Sequence, residues 1–229
     1  MLKFSRSMVL ALGALAPVIA HANLIVNGSF ESPTVAPGIS TTLYSGGQAF
    51  YTGNNIGGWT VTGASETADV YIYPNTMPVS TTQTMNVQNG NQALDLTGDG
   101  TGGVAMGVQQ LFSTTPGQTY VLSFYVGELI NEAASVQVYL NGSLFQTATN
   151  NSPTTGNTTL WEQFVYNFTA TSSSTSLRFV NNSAANVAVN GLDNVDVEAT
   201  TPEPASIVTL TSGFVFLAFG GFRRFRNCK

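Results

Sequence analysis

The chain has 229 residues, 7 of them basic and 12 acidic, with a formal charge of −5 and only 8% charged side chains. A balance on the acidic side repels phosphate backbones and excludes nucleic acid as a partner. One histidine, His21, and one cysteine, Cys228, exclude a disulfide framework and the His/Cys ligand sets of zinc sites.

The chain opens on Lys3 and Arg6, runs through mostly apolar residues from Met8 to Ala20, and reaches the small-x-small sequence Ala20-His21-Ala22 before Asn23. Charge, apolar core and small-residue cleavage site in that order define a secretory signal peptide. The expected mature start is Asn23, with the signal helix of residues 1–22 removed; a buried N-terminal helix is the alternative. From Asn23 to Thr201 a single basic residue, Arg178, stands against eleven carboxylates. Without His, Cys or Lys this segment has no Ser-His or Cys-His pairing and no lysine nucleophile. Asp/Glu chemistry such as glycoside hydrolysis stays open in principle. No motif pairs an acid with a base, so the expectation is a binding or structural domain and not an enzyme.

Short alternating runs broken by Gly, Asn, Ser and Thr predict an all-β fold. Early strands are expected at Leu24–Val26, Trp59–Thr62, Ala93–Leu96 and Val104–Phe112, with long loops at Ser40–Asn55 and Thr76–Asn89. The turn Pro116-Gly117 introduces a buried strand, Tyr120–Val126. Val136, Val138 and Leu140 then alternate with Gln137 and Tyr139, and Asn141-Gly142 supplies a type I′ hairpin turn into Ser143–Phe145. After the polar connection Asn150–Thr159 and Trp161, the residues Phe164, Tyr166 and Phe168 share one face. Leu177 and Phe179 share a face of the next strand, and Val195 and Val197 of the last, entered through Gly191-Leu192. About nine strands with turns between them predict a β-sandwich, with a barrel as the alternative.

The C-terminus reads Pro202-Glu203-Pro204-Ala205-Ser206, an apolar run Ile207–Phe219, and a basic tip of Arg223, Arg224, Arg226 and Lys229. A bilayer-spanning helix needs about 20 apolar residues, so this run is short. Positive charge behind it holds that end in the cytoplasm. Residues 207–221 are therefore expected as a short apolar helix held transiently in the inner membrane; a permanent anchor is the alternative. These parts, covering residues 202–229, resemble the PEP-CTERM sorting signal of Gram-negative bacteria. The resemblance implies handling by an exosortase, a transpeptidase-like membrane enzyme, with cleavage at or near Pro202-Glu203-Pro204. It also implies a host that makes exopolysaccharide and biofilm, and a destination at the cell surface, outer membrane or extracellular matrix.

A second resemblance spans residues 23–201. Its fragments are Asn23-Leu24-Ile25-Val26-Asn27-Gly28-Ser29-Phe30-Glu31, Gly58-Trp59-Thr60-Val61-Thr62-Gly63, Ala93-Leu94-Asp95-Leu96, Gln110-Leu111-Phe112, Thr115-Pro116-Gly117-Gln118-Thr119-Tyr120 and Gly191-Leu192-Asp193-Asn194-Val195. In that order they are similar to the galactose-binding-like jelly-roll superfamily, above all its bacterial modules with variable surface anchors and their plant cell-wall relatives. The resemblance implies a jelly-roll β-sandwich, association with polysaccharide, and a structural calcium held by Glu31 and Asp193 with backbone carbonyls. Calcium suits such a set because it takes hard oxygen ligands; the residues themselves require no cofactor. Asp193 shares strand parity with Val195 and Val197, which points it inward, so a pair with Arg178 or plain solvent exposure is the competing reading. Asp95 and Asp99 lack full calcium-loop spacing and read as a loop. Tyr44, Tyr51, Tyr71 and Tyr73, in or beside the long loops, are the candidates for stacking on a sugar, while Trp59 and Trp161 read as core. A structural or adhesive matrix component with no specific ligand is the alternative function.

Overall fold

The computed structural model describes residues 22–37, 45–63, 67–98, 105–129, 133–151, 156–183 and 189–200. The signal segment through His21, the sorting segment with Pro202, Glu203 and Pro204, and also Tyr44 and Asp99 lie outside the described residues.

The period-two patterning becomes fourteen strands among the described residues. They are β1 (Gln48–Tyr51), β2 (Asn55–Ile56), β3 (Trp59–Thr62), β4 (Asp69–Pro74), β5 (Met77–Pro78), β6 (Thr84–Met85), β7 (Gln92–Asp95), β8 (Gly107–Ser113), β9 (Thr119–Glu128), β10 (Ala134–Leu140), β11 (Ser143–Asn150), β12 (Leu160–Thr169), β13 (Ser174–Asn181) and β14 (Gly191–Ala199). Sheet A has six strands in the order β1-β4-β7-β14-β9-β12, and sheet B six in the order β11-β10-β13-β8-β3-β2. From β7 onward nearly every connection crosses from one sheet to the other, which is the winding of a jelly roll. Among the described residues there is no helix.

The two inner faces meet in one apolar core. Phe124 of β9 meets Phe179 of β13 edge to face at 4.8 Å, which joins sheet A to sheet B at the centre. Fully buried Trp59 lies between Phe179, 6.0 Å away, and Phe30, 5.7 Å away. Phe164, Tyr166 and Phe168 do share a face, and all three pack against that core. The Asn141-Gly142 turn has positive φ at both residues, 50° and 81°, as a type I′ turn demands.

Three local expectations change. Leu24–Val26 is not a strand: Asn27 and Phe30 take φ of 55° and 54° and break the extended chain. The segment instead clasps β14 through Leu24 N to Val197 O at 2.9 Å and Val195 N to Gly28 O at 2.9 Å. The long loop at Ser40–Asn55 contains β1, and that at Thr76–Asn89 contains the β5–β6 hairpin, which pairs Met77 with Met85. The hairpin carries its own small core of Met77, Val79 and Met85 with Tyr73, Ala93, Leu129 and Val189. The third change is a bulge in β14. Its pairing with β9 shifts between Asp193 and Asp196, where Asn194 takes φ 50°. One extra residue reverses side-chain parity. Leu192, Val195 and Val197 therefore all reach the core, while Asp193 is turned to the outer face beside Tyr125.

Candidate functional site

On the outer face of sheet A, antiparallel register lines up Tyr71, Asp95, Gly191, Gly127 and Trp161 across five strands. A neighbouring row pairs Tyr73 with Ala93, Asp193 with Tyr125 and Tyr125 with Gln163. Small residues at the centre make room for the large ring at the edge. A Cβ on Gly127 would stand 2.9 Å from Trp161 Cζ3, and one on Gly191 2.8 Å from Trp161 Cη2. Trp161 is thus half-buried across two glycines, its Nε1 donating to Asn86 O at 3.1 Å, and is not in the inter-sheet core.

The two acids singled out in the sequence are brought to one loop. Asp193 Oδ2 accepts the backbone N–H of Gln88 at 3.0 Å and of Asn89 at 2.9 Å. Glu31 Oε1 accepts those of Asn91 at 2.7 Å and Gln92 at 2.9 Å. Gly90 forms the apex between them at φ +70°, and a Cβ there would stand 2.2 Å from Glu31 Oε1. The loop therefore wraps both carboxylates, and its amides do for them what a cation would do in part. Burial raises the pKa of Asp193 to about 7, against the amides of Asn89, Asn194 and Gln88, with Glu31 pushing it up further. Asp95 is raised to about 7 by burial too, against the hydroxyl and amide of Thr97 and the amide of Asn190. Tyr73, fully buried with its hydroxyl lacking a hydrogen-bond partner, is raised by burial and then by Asp193 and Asp95.

Calcium between Glu31 and Asp193 fits in kind and falls short in number. Two carboxylates that raise one another's energy are suitable hard ligands, yet calcium takes six to eight oxygens. Among the described residues no third His, Cys, Asp or Glu completes a metal cluster. Backbone carbonyls and water would supply the rest. Arg178 is not the partner of Asp193: it stands on β13 in sheet B, the other side of the sandwich.

The tyrosine candidates separate by environment. Tyr51 is exposed on the edge strand β1. Tyr71 is half-buried, its hydroxyl donating to Gly46 O at 2.7 Å. Tyr73 is completely buried beneath the hairpin and presents no ring face to solvent. Trp59 is core.

The outer face of sheet B was not legible as a site. Register places Leu144, Tyr139, Arg178, Gln109 and Thr60 in one row across five strands. Leu144 and Thr60 are exposed; Tyr139, Arg178 and Gln109 are half-buried. The Arg178 guanidinium carbon lies 5.2 Å from the centre of the Tyr139 ring, and its Nε is buried without a hydrogen-bond partner. The Tyr139 hydroxyl donates to Gln137 Oε1 at 2.8 Å. Apart from Glu31, every carboxylate of the described residues sits on a strand of sheet A. The available signal was the alternation of Tyr139 with Val136, Val138 and Leu140, which turns it outward, together with Arg178 being the one basic residue of the segment.

Fold and faces define an all-β sandwich of two antiparallel sheets, in which the carboxylates of the described strands all stand on sheet A and none on sheet B. The chain belongs to the DUF642 family, described as a protein of unknown function, whose model matches residues 23–198. No curated protein matches it in sequence. Among solved structures it is similar to a Stig cyclase, Fisc, from Fischerella sp. TAU in complex with (3Z)-3-(1-methyl-2-pyrrolidinylidene)-3H-indole. That likeness has 16% identity and a TM-score of 0.54, and covers 80% of this chain and 100% of that one. A cyclase from Fischerella sp. TAU overlaps at 14% identity and a TM-score of 0.53, covering 80% of this chain and 100% of that one. Likeness at this identity establishes the shared sandwich and no activity. The CBM22-1 xylan-binding domain of Paenibacillus barcinonensis Xyn10C overlaps more loosely, at 18% identity and a TM-score of 0.41 over 68% of this chain and 94% of that one, and carries no argument.

Proposed function

We propose that this is an exported protein, sorted through residues 202–229 by an exosortase-type enzyme, whose sandwich associates with extracellular polysaccharide at the surface of a Gram-negative-type bacterium. The observation that carries the polysaccharide reading is the row Leu144–Tyr139–Arg178–Gln109–Thr60. It offers an aromatic ring, a guanidinium, an amide and a hydroxyl side by side on an open sheet, the groups that stack on sugar rings and bond their hydroxyls. The export reading rests on the order of charge, apolar run and Ala20-His21-Ala22, and the sorting reading on Pro202-Glu203-Pro204 with the apolar run and basic tip behind it.

Binding is favoured over catalysis. The two carboxylates raised to about 7 are the natural candidates for acid chemistry. Asp193 is 0% exposed and Asp95 5%, so neither meets a substrate outside the fold. The test is affinity electrophoresis of the exported protein through gels containing host exopolysaccharide and a panel of purified polymers. Retardation by at least one polymer supports the reading, and free migration through all of them leaves a ligandless matrix component. Intact-mass measurement tests the sorting. A product running from Asn23 to near Pro202 agrees with it, whereas one that keeps Arg223 to Lys229 means a lasting anchor.

A further inference from the structure

We infer that the outer face of sheet B binds an anionic polysaccharide, and that Arg178 receives the sugar carboxylate; this rests on the polysaccharide reading and names its chemical class. The starting point is where the one cation went. Eleven carboxylates and one arginine share the mature segment, so an ion pair would be easy to form. Arg178 instead occupies the sheet whose described strands hold no acid, and its cation–aromatic contact is with Tyr139. Its Nε is buried and has no hydrogen-bond partner. Burial closes Nε to a ligand, but the residue as a whole is only half-buried, so the part of the guanidinium beyond Nε is what a ligand on this face can meet. The guanidinium stands within cation–aromatic range of the Tyr139 ring, and its planar fork matches a carboxylate in a way an ammonium does not.

The neighbours fit the same ligand. Gln109 and Tyr139 flank Arg178 in register, and Gln137 is fixed by the Tyr139 hydroxyl. Leu144 and Leu111, 53% and 68% exposed, give apolar edges to the same face. At about 4.8 Å between strands the five-strand row extends about 20 Å, room for several sugar rings. The net negative charge of the domain does not cancel the attraction. Packed sheets lie about 10 Å apart, and charges farther than about 10 Å are screened at 0.1 M salt. The described carboxylates of the strands stand on sheet A, so none is a strand neighbour of Arg178 in sheet B.

Affinity electrophoresis of the exported protein through a polyuronate, a neutral β-glucan and a polymeric amino sugar, all in EDTA to remove calcium bridging, tests this. Retardation by the polyuronate is expected. Arg178→Gln should weaken it at least tenfold with an unchanged melting curve, and Arg178→Lys should restore only part. Gln109→Glu leaves Arg178 in place but sets a carboxylate beside it, and should weaken binding to a similar extent. Equal polyuronate binding by the wild type and both Arg178→Gln and Gln109→Glu would overturn the inference. So would retention on the neutral or amino polymer alone, which leaves the polysaccharide reading standing. Free migration through all three polymers overturns both.

Discussion

Replacing Asp193 with asparagine sets two effects against each other. Burial raises the folded pKa to about 7 from the ordinary carboxylate value of 3.8. A group whose folded pKa lies above its unfolded one favours folding while protonated. Its contribution is complete below about pH 4 and is lost as pH rises through about 7. Roughly three units, at about 1.4 kcal/mol each, amount to on the order of 4 kcal/mol of ionisation penalty above neutrality. Asparagine removes that penalty, but its NH₂ replaces one acceptor. Asp193 receives three backbone amides, from Gln88, Asn89 and Asn194, and at least one donor would then face a donor. An unmet buried donor costs about 1–3 kcal/mol. Asp193→Asn should therefore be less stable than the wild type near pH 3.5 by about 1–3 kcal/mol, and more stable near pH 8 by a similar amount. Urea unfolding in EDTA across that range measures both curves, and they should cross. A constant offset between them would refute the reasoning, because it would mean that the carboxylate ionises equally easily in the folded and unfolded chains.

The remaining predictions are these. Calcium should raise the melting temperature by neutralising Glu31 and Asp193, and the gain should vanish in Glu31→Ala with Asp193→Ala; identical melting curves in calcium and EDTA would eliminate the site. Gly127→Val should displace the Trp161 ring, whose Cζ3 lies 2.9 Å from the new Cβ, and cost about 1–3 kcal/mol with a change in tryptophan fluorescence. Asn194→Val should cost about 1–2 kcal/mol or more, since a β-branched residue resists the φ of 50° that the bulge requires; unchanged urea stability would mean that the bulge relaxes freely.

Much of the sheet architecture could be read along the chain. The faces of β9, β10 and β12, and the Asn141-Gly142 turn, follow from period-two patterning and from residues that tolerate positive φ, both local properties. Composition alone fixed the charge imbalance and the lack of His, Cys and Lys between Asn23 and Thr201. The strand β4 was missed although Asp69–Pro74 alternates, because both its faces are covered: Ile72 by the main core and Tyr73 by the hairpin. Strand parity gave the wrong side for Asp193, because one residue with positive φ, Asn194, reverses it. The meeting of Glu31 and Asp193 at one loop could only be inferred by resemblance, since their hydrogen bonds span 60 to 105 residues of chain. The isolation of Arg178 is tertiary for the same reason. Sequence counts charges without regard to side, whereas the alternation of strands between two sheets decides which charges face each other. That alternation put the described acids of the strands on sheet A and left the arginine on sheet B.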